Sequence, residues 1–227
     1  ECTNLPSEYI RTPAEERIDS EDQDSRNSIG LGERGSYIKH FAVEGFDRIN
    51  LDGRYFTSIR YGDKFSINAD GLEKDVDNIR FAVKNGTLTV EQVEEPGPGS
   101  VLGEERIGIV ITMPELKSLE LGGATRTKVS GFERLNELLL TTSGAAKSEL
   151  EVNATRIVLD ASGASKVILK GKADALEADL SGASRMTAHE MVINRAGIKA
   201  SGASRVRLGK VPDLTQVASG GRKIEGG

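Results

Sequence analysis

The sequence has no tryptophan, a single cysteine, two histidines and only 4% aromatic residues. With Cys2 alone, no intramolecular disulfide can form, and the cysteine count says nothing about redox compartment. So few large rings argue against a bundle of bulky side chains and suit short strands joined by tight turns. No run of 18 apolar residues occurs, so no membrane-spanning helix is expected. An excess of positive charge is lacking too. The 30 basic residues are outnumbered by 35 acidic ones, and the net charge of −5 gives no overall attraction for nucleic acid. There is no phosphate-cradling loop, because Gly97 and Gly99 interleave with Pro96 and Pro98 and precede no helix; no cofactor is expected.

What the sequence does have is 26 glycines in 227 residues, a length sufficient to bury a core without metal or disulfide staples. Residues 1–35 are rich in Glu, Asp, Arg, Ser and Asn, and include Asp19-Ser20-Glu21-Asp22-Gln23-Asp24. Such a segment buries too little apolar surface to offset ordering entropy, so it reads as a polar tether or arm. The polar opening without an initiator Met fits a processed export substrate or a trimmed chain, and Cys2 is a lipidation candidate, although Glu1 is larger than the residue that normally precedes a lipidated cysteine.

From Tyr37 onward apolar residues recur two apart, as in Ile49-Asn50-Leu51, Phe65-Ser66-Ile67 and Leu88-Thr89-Val90, the period of half-buried strands. Asp52-Gly53, Tyr61-Gly62-Asp63, Asp70-Gly71 and Asn85-Gly86 punctuate them as turns. Glu94 to Ser100 reads as a loop, and Ile107 to Met113 as a strand halted by Pro114. Nothing shows a sustained helical period.

The second half repeats. Ser143-Gly144-Ala145-Ala146-Lys147, Ser162-Gly163-Ala164-Ser165-Lys166, Ser181-Gly182-Ala183-Ser184-Arg185 and Ser201-Gly202-Ala203-Ser204-Arg205 are copies of one phrase. Gly122-Gly123-Ala124-Thr125-Arg126 precedes them, and a decayed copy follows at Ser219-Gly220-Gly221-Arg222. The central glycines are thus Gly123, Gly144, Gly163, Gly182, Gly202 and Gly220, nearly evenly spaced. A period of about 20 residues with strand-like text between copies denotes a solenoid. The ladder of leucines and asparagines of leucine-rich repeats is missing. The expected fold is therefore all-β: a single-stranded, right-handed parallel β-helix with coils of about 20 residues. The domain reading is one β-helical unit over 36–227, with less regular coils over 36–113 leaning toward continuity with the regular repeats of 114–227.

In this reading Gly123, Gly144, Gly163, Gly182 and Gly202 are structural turns that need a backbone conformation closed to other residues. The alanine is expected where stacked corners leave room only for a methyl group, and the serines are expected to hydrogen-bond along the column or to nearby backbone. The serines are not nucleophiles, since neither His40 nor His189 recurs with the repeat.

The series Gly45-Phe46-Asp47-Arg48-Ile49-Asn50-Leu51-Asp52-Gly53, Ile59-Arg60-Tyr61-Gly62-Asp63, Asn85-Gly86-Thr87-Leu88-Thr89-Val90, Met113-Pro114-Glu115-Leu116 and the Ser-Gly-Ala units resembles the auto-transporter adhesin head, GIN domain family, common in Bacteroidetes. The resemblance covers roughly residues 36–225. It implies a β-helical fold and an exported bacterial protein, periplasmic or at the cell surface, and it carries over no catalytic residue. The chain departs from the pattern where Gly122 replaces Ser, and at the last copy, the ends where irregular capping coils are expected.

The basic residue closing each phrase makes Arg126, Lys147, Lys166, Arg185 and Arg205 a candidate column for binding an anionic polymer. The bland alternative is a solvated edge countered by Asp160 and Asp179, three residues before their glycines, a series that Lys199 interrupts. A polysaccharide-processing β-helix would need paired carboxylates in a cleft walled by long loops, and coils this short and even leave no room for them. Asp160 with Asp179 therefore reads as a surface ladder, and His189 with Glu190 as surface decoration without metal-ligand spacing. Among Tyr55, Phe56 and Tyr61, alternation places at least one in the core. The functional expectation is a non-catalytic surface scaffold for a glycan, cell-wall or protein partner, with a purely structural or self-associating module, a homo-oligomer, as the rival.

Overall fold

The structure, a computed structural model, describes residues 37–92, 107–219 and 223–225. The expected tether with Cys2, the loop beginning at Glu94 and the glycine of the last Ser-Gly copy lie outside the described residues. The strands are β1 (Tyr37–Phe41), β2 (Arg48–Leu51), β3 (Tyr55–Tyr61), β4 (Ser66–Gly71), β5 (Ile79–Lys84), β6 (Thr87–Gln92), β7 (Ile107–Met113) and β8 (Ser118–Leu121). They continue as β9 (Arg126–Thr142), β10 (Lys147–Ala161), β11 (Lys166–Leu180), β12 (Arg185–Ala188), β13 (Met191–Ala200), β14 (Arg205–Leu208), β15 (Asp213–Ala218) and β16 (Lys223–Glu225). One short helix, α1 (Glu73–Asp77), interrupts them.

From β8 onward every pairing is parallel and joins a strand to the next coil, so the repeats form a β-solenoid. Strands β9, β10 and β11 run long because each bends around two sides of the coil. Along every coil the alternating residues point inward, and Leu138, Ile157, Leu176 and Ile198 are fully buried in one continuous core. A fully buried Leu or Ile contributes roughly 1.5–3 kcal/mol.

The phrase Ser-Gly-Ala is a stacked corner. Gly123, Gly144, Gly163, Gly182 and Gly202 all have φ between +60° and +69°. The amide of the following alanine donates to the glycine carbonyl one coil earlier: Ala145 to Gly123, Ala164 to Gly144, Ala183 to Gly163 and Ala203 to Gly182, at 2.7–2.8 Å. A Cβ on Gly144, Gly163, Gly182 or Gly202 would stand 2.7 Å from that same carbonyl oxygen. The alanine itself differs from expectation. Ala145, Ala164, Ala183 and Ala203 are exposed, and the size limit falls on the next residue, where Thr125, Ala146, Ser165, Ser184 and Ser204 are at most 1% exposed. These small side chains turn into the coil because the left-handed glycine reverses the side of the chain that faces the core. Ser165 accepts a hydrogen bond from the Thr142 hydroxyl at 3.2 Å, and Ser201 donates to the Leu180 carbonyl at 3.3 Å.

The corner column continues into the first half. Ala124 donates at 2.8 Å to the carbonyl of Gly53, which lies far earlier in the chain. Strand β2 pairs in parallel with β8, and β3 with β9, so β2–Asp52-Gly53–β3 is a coil of the same stack. Strands β6 and β7 add one more parallel layer on β2 and β3. Beyond that layer the pairing turns antiparallel: β5 closes against β6, β4 against β7, and β1 against β4. The β5–β6 hairpin turns at Asn85 and Gly86, both with positive φ, as the Asn-Gly pair predicts. Val76 of α1, with Ala69 and Ile79, forms a small second core beside the main one.

Asp47 ties the coil of β2 to the coil of β8. Its carboxylate accepts a hydrogen bond from Lys117 Nζ at 2.7 Å and lies 3.6 Å from Arg48, while the Lys117 amide donates to its carbonyl. The Lys117 hydrogen bond, aided by Coulomb attraction to Lys117 and Arg48, holds the Asp47 carboxyl below the ordinary value of 3.8 against the opposing effect of burial.

These contacts can be tested by substitution. Gly163→Ala forces both a strained φ and a backbone collision, and is expected to cost about 2–4 kcal/mol in denaturant titrations. Gly197→Ala, in a strand with nothing within 4 Å of its added Cβ, should leave stability unchanged or raise it by up to about 1 kcal/mol. For Asp47, a carboxyl depressed in the folded state stabilises fully above its unfolded value and loses that contribution as pH falls through the folded one. Asp47→Asn should therefore melt earlier than the parent chain at pH 7, with the gap closing below pH of about 4.

Candidate functional site

In a parallel stack with about 4.8 Å between strands, a residue type repeated at one position becomes a column. The structure brings all five candidate cations together in this way. Arg126 is the register partner of Lys147, Lys147 of Lys166, Lys166 of Arg185, and Arg185 of Arg205. Each is the third residue after its corner glycine, the first outward position of the strand leaving the corner. At the N-terminal end Phe56 is the register partner of Arg126, and the Arg126 guanidinium lies over the Phe56 ring at 5.4 Å from its centroid.

Charge pairing elsewhere makes this column unusual. Arg156 binds Glu137 and Glu177, both at 2.9 Å, and the Glu177 hydrogen bond raises its pKa. Lys170 lies 2.9 Å from Glu149 and 3.6 Å from Glu190, and the Glu149 hydrogen bond holds its ammonium above the ordinary value. Lys117 is shared by Asp47 and Glu115. By contrast, none of the five column cations has a carboxylate within 4.0 Å among the described residues.

The acidic series runs along the other side of the glycine ridge. Asp160 is in register with Thr141 and Asp179, and Asp179 with Lys199, so the column reads Thr, Asp, Asp, Lys before ending at Val217. It borders a shallow trough of about 500 Å³ whose floor includes Ala175 and Gly197. The ridge holds these carboxylates apart from the cations, so the countering of the basic column expected from Asp160 and Asp179 is not a contact. The two carboxylates are one strand apart on an open sheet face, the surface ladder that the sequence suggests.

The remaining candidates separate cleanly. Tyr55 is 3% exposed and in the core, whereas Tyr61 is 50% exposed. His189 is exposed, with Nε2 3.2 Å from Glu190. It occupies the place where the coil from Gly182 to Gly202 carries its extra residue, since β12 and β13 follow β11 in register up to Ile168 and again from Gly171. Among the described residues, no three His, Cys, Asp or Glu side chains gather where they could hold a metal ion. No described helix is long and apolar enough to cross a membrane.

Comparison with known proteins agrees with this architecture. The model of the family described as "Putative auto-transporter adhesin, head GIN domain" matches residues 45–225. Among solved structures, a putative adhesin from Bacteroides fragilis superposes with a TM-score of 0.70 at 15% identity, covering 84% of this chain and 96% of that one. A putative lipid binding protein from Parabacteroides distasonis gives 0.60 at 14% identity, with 84% and 96% coverage. A putative adhesin from Parabacteroides merdae gives 0.59 at 14% identity, with 84% and 95% coverage. A search of the curated proteins found no match. With its stacked corners, parallel coils and a family match running from the first coil to the last, the chain belongs to the auto-transporter adhesin head, GIN domain family.

Proposed function

We propose that this chain is an exported, non-catalytic binding scaffold of the adhesin type, which holds an anionic polymer such as an acidic polysaccharide along its cationic column. The observation that carries this reading is the register of Arg126, Lys147, Lys166, Arg185 and Arg205 without partner carboxylates among the described residues. Adjacent like charges about 5 Å apart repel by roughly 1 kcal/mol in water. Elsewhere on the coils Arg156 and Lys170 are each paired twice over, so neutralising carboxylates fit this fold readily. A polyanion with regularly spaced charges would relieve the repulsion at several coils together, gaining affinity from many weak contacts rather than one deep pocket. The family's description and two structural relatives that are putative adhesins are in keeping with a surface location. Lipidation at Cys2 would supply an anchor, and the acidic 1–35 segment would serve as its spacer.

A second reading, self-association, is favoured by the end of the stack. Strand β15 pairs only with β13, and β16 only with β14, among the described strands. An unpaired parallel edge is a template for another strand. Sedimentation over a hundredfold concentration range decides it: a mass that rises with concentration supports assembly, and a constant monomer mass removes it.

For the column, Lys147→Gln with Lys166→Gln and Arg185→Gln should lower retention on an immobilised acidic glycan by about tenfold or more, reducing the salt dependence as well. The triple variant should melt no earlier than the parent chain, because relieved repulsion accompanies the loss of charge. Unchanged retention would sink the proposal.

A further inference from the structure

The coil from Gly123 to Gly144 is longer by two than the coils from Gly144 to Gly163 and from Gly163 to Gly182, and the structure shows where both insertions go. Strands β9 and β10 keep register to Val129–Leu150, then pair Phe132 with Val152 and Leu135 with Ala154, so each interval carries one additional β9 residue. These are two successive β-bulges, devices that re-aim side chains and are enriched beside binding sites. They coincide with the first stretch of this side of the stack. After β3 the chain leaves the coil for the capping hairpins, and returns through 114–117 to β8.

The result is a concavity of about 810 Å³ at the junction of cap and repeats. Tyr61 forms one wall. Its ring is half exposed, packs edge-on to buried Phe132 with centroids 6.1 Å apart, and is fixed at the hydroxyl by a 2.9 Å hydrogen bond to Asp63. The main chain of Gly131, at φ +83°, passes close under it: an added Cβ would be 3.3 Å from the Tyr61 Cβ. Leu139, 43% exposed, supplies an aliphatic surface. The bulges turn Glu133, Arg134 and Asn136 to the same space, and none of the three has an ion pair or side-chain hydrogen bond among the described residues. A second concavity of about 380 Å³ shares the Glu133–Asn136 wall and runs on across the next coils past Asn153, Lys172 and Asn194.

We infer that this junction is a binding site for a neutral linear oligosaccharide, separate from the cationic column. A rigid aromatic face suits the apolar C–H face of a sugar ring. A carboxylate, a guanidinium and an amide in one small area supply donors and acceptors for hydroxyl groups with no net charge to select an anion. The lining mixes apolar surface from Tyr61 and Leu139 with charged and amide side chains, a pattern that suits a hydroxylated ring with one apolar face better than an acyl chain. Its continuation along the stack gives a linear chain room for further units.

The test is affinity electrophoresis and calorimetry of the full chain with a panel of neutral hexaoses: cello-, manno-, malto- and chito-hexaose. At least one should bind, with an affinity unchanged in high salt. Tyr61→Ala should weaken it roughly tenfold, the value of one stacked ring, while Tyr61→Phe retains it. Because Tyr61 touches Phe132, the exposed variants Arg134→Gln and Asn136→Ala provide a check independent of packing, each lowering affinity severalfold. The triple variant of the column should bind the neutral hexaose as the parent does. No binding by any of the four, or binding unaltered by Tyr61→Ala, Arg134→Gln and Asn136→Ala, overturns the inference. Retention of acidic glycans only, lost in the column variant, would overturn it while upholding the proposed function.

Discussion

The fold depends on one backbone contact: an alanine amide meeting the carbonyl of the corner glycine one coil earlier, in a conformation that admits no Cβ. At Gly144, Gly163, Gly182 and Gly202 the added carbon would lie 2.7 Å from a carbonyl oxygen. A backbone oxygen cannot rotate away as a side chain can, so the corner accepts glycine or moves the whole stack. The hydrogen bond and the steric exclusion act on the same atom. Together they fix each coil's height and rotation against the one before, which is why the cations three residues on fall into register without any attraction between them.

That constraint explains what is legible in the sequence. Because the corner demands glycine and then a small buried residue, the phrase recurs at the period of the coil, and the solenoid can be read from the text alone. The positions of Arg126, Lys147, Lys166, Arg185 and Arg205 follow as a corollary. The alanine departs from expectation for an instructive reason. Its recurrence points to a tight interior place, yet Ala164 and Ala183 are exposed, and the buried neighbours Ser165 and Ser184 carry the size limit. Exposed on the ridge beside the left-handed glycine, the alanine is small where the core makes no demand. The structure shows no reason for that choice at these four positions.

The first half is harder to read because its corner has a different text. Asp52-Gly53 offers the same carbonyl to Ala124 without the Ser-Gly-Ala phrase. Its partner coil is distant in the chain, across strands that look like any alternating β-text. Period-2 alternation identifies a half-buried strand but not its direction, so parallel β7 and antiparallel β4 have the same appearance in sequence. Only the Asn85-Gly86 hairpin announces itself. The antiparallel cap has physical sense: it ends the stack with a change of pairing direction, and places β1 and β5 rather than another coil at the edge, the kind of blunting that solenoid ends require.

The column and the junction pocket are two consequences of one geometry, regular in the first case and interrupted in the second. Regular coils can present only what repeats, which means flat faces and columns suited to ligands that are themselves periodic. A concave site with several different side chains requires a break in the period. The molecule breaks it at the corner opposite the glycine ridge, where the coil after Gly123 spends its two bulges and the coil after Gly182 places His189. The ridge tolerates no insertion because its carbonyl contact is shared by every coil, whereas the opposite corner is free to lengthen. Variation in coil length, which reads in the sequence as imperfect repetition, is thus confined to the side of the stack where a differentiated site can be built.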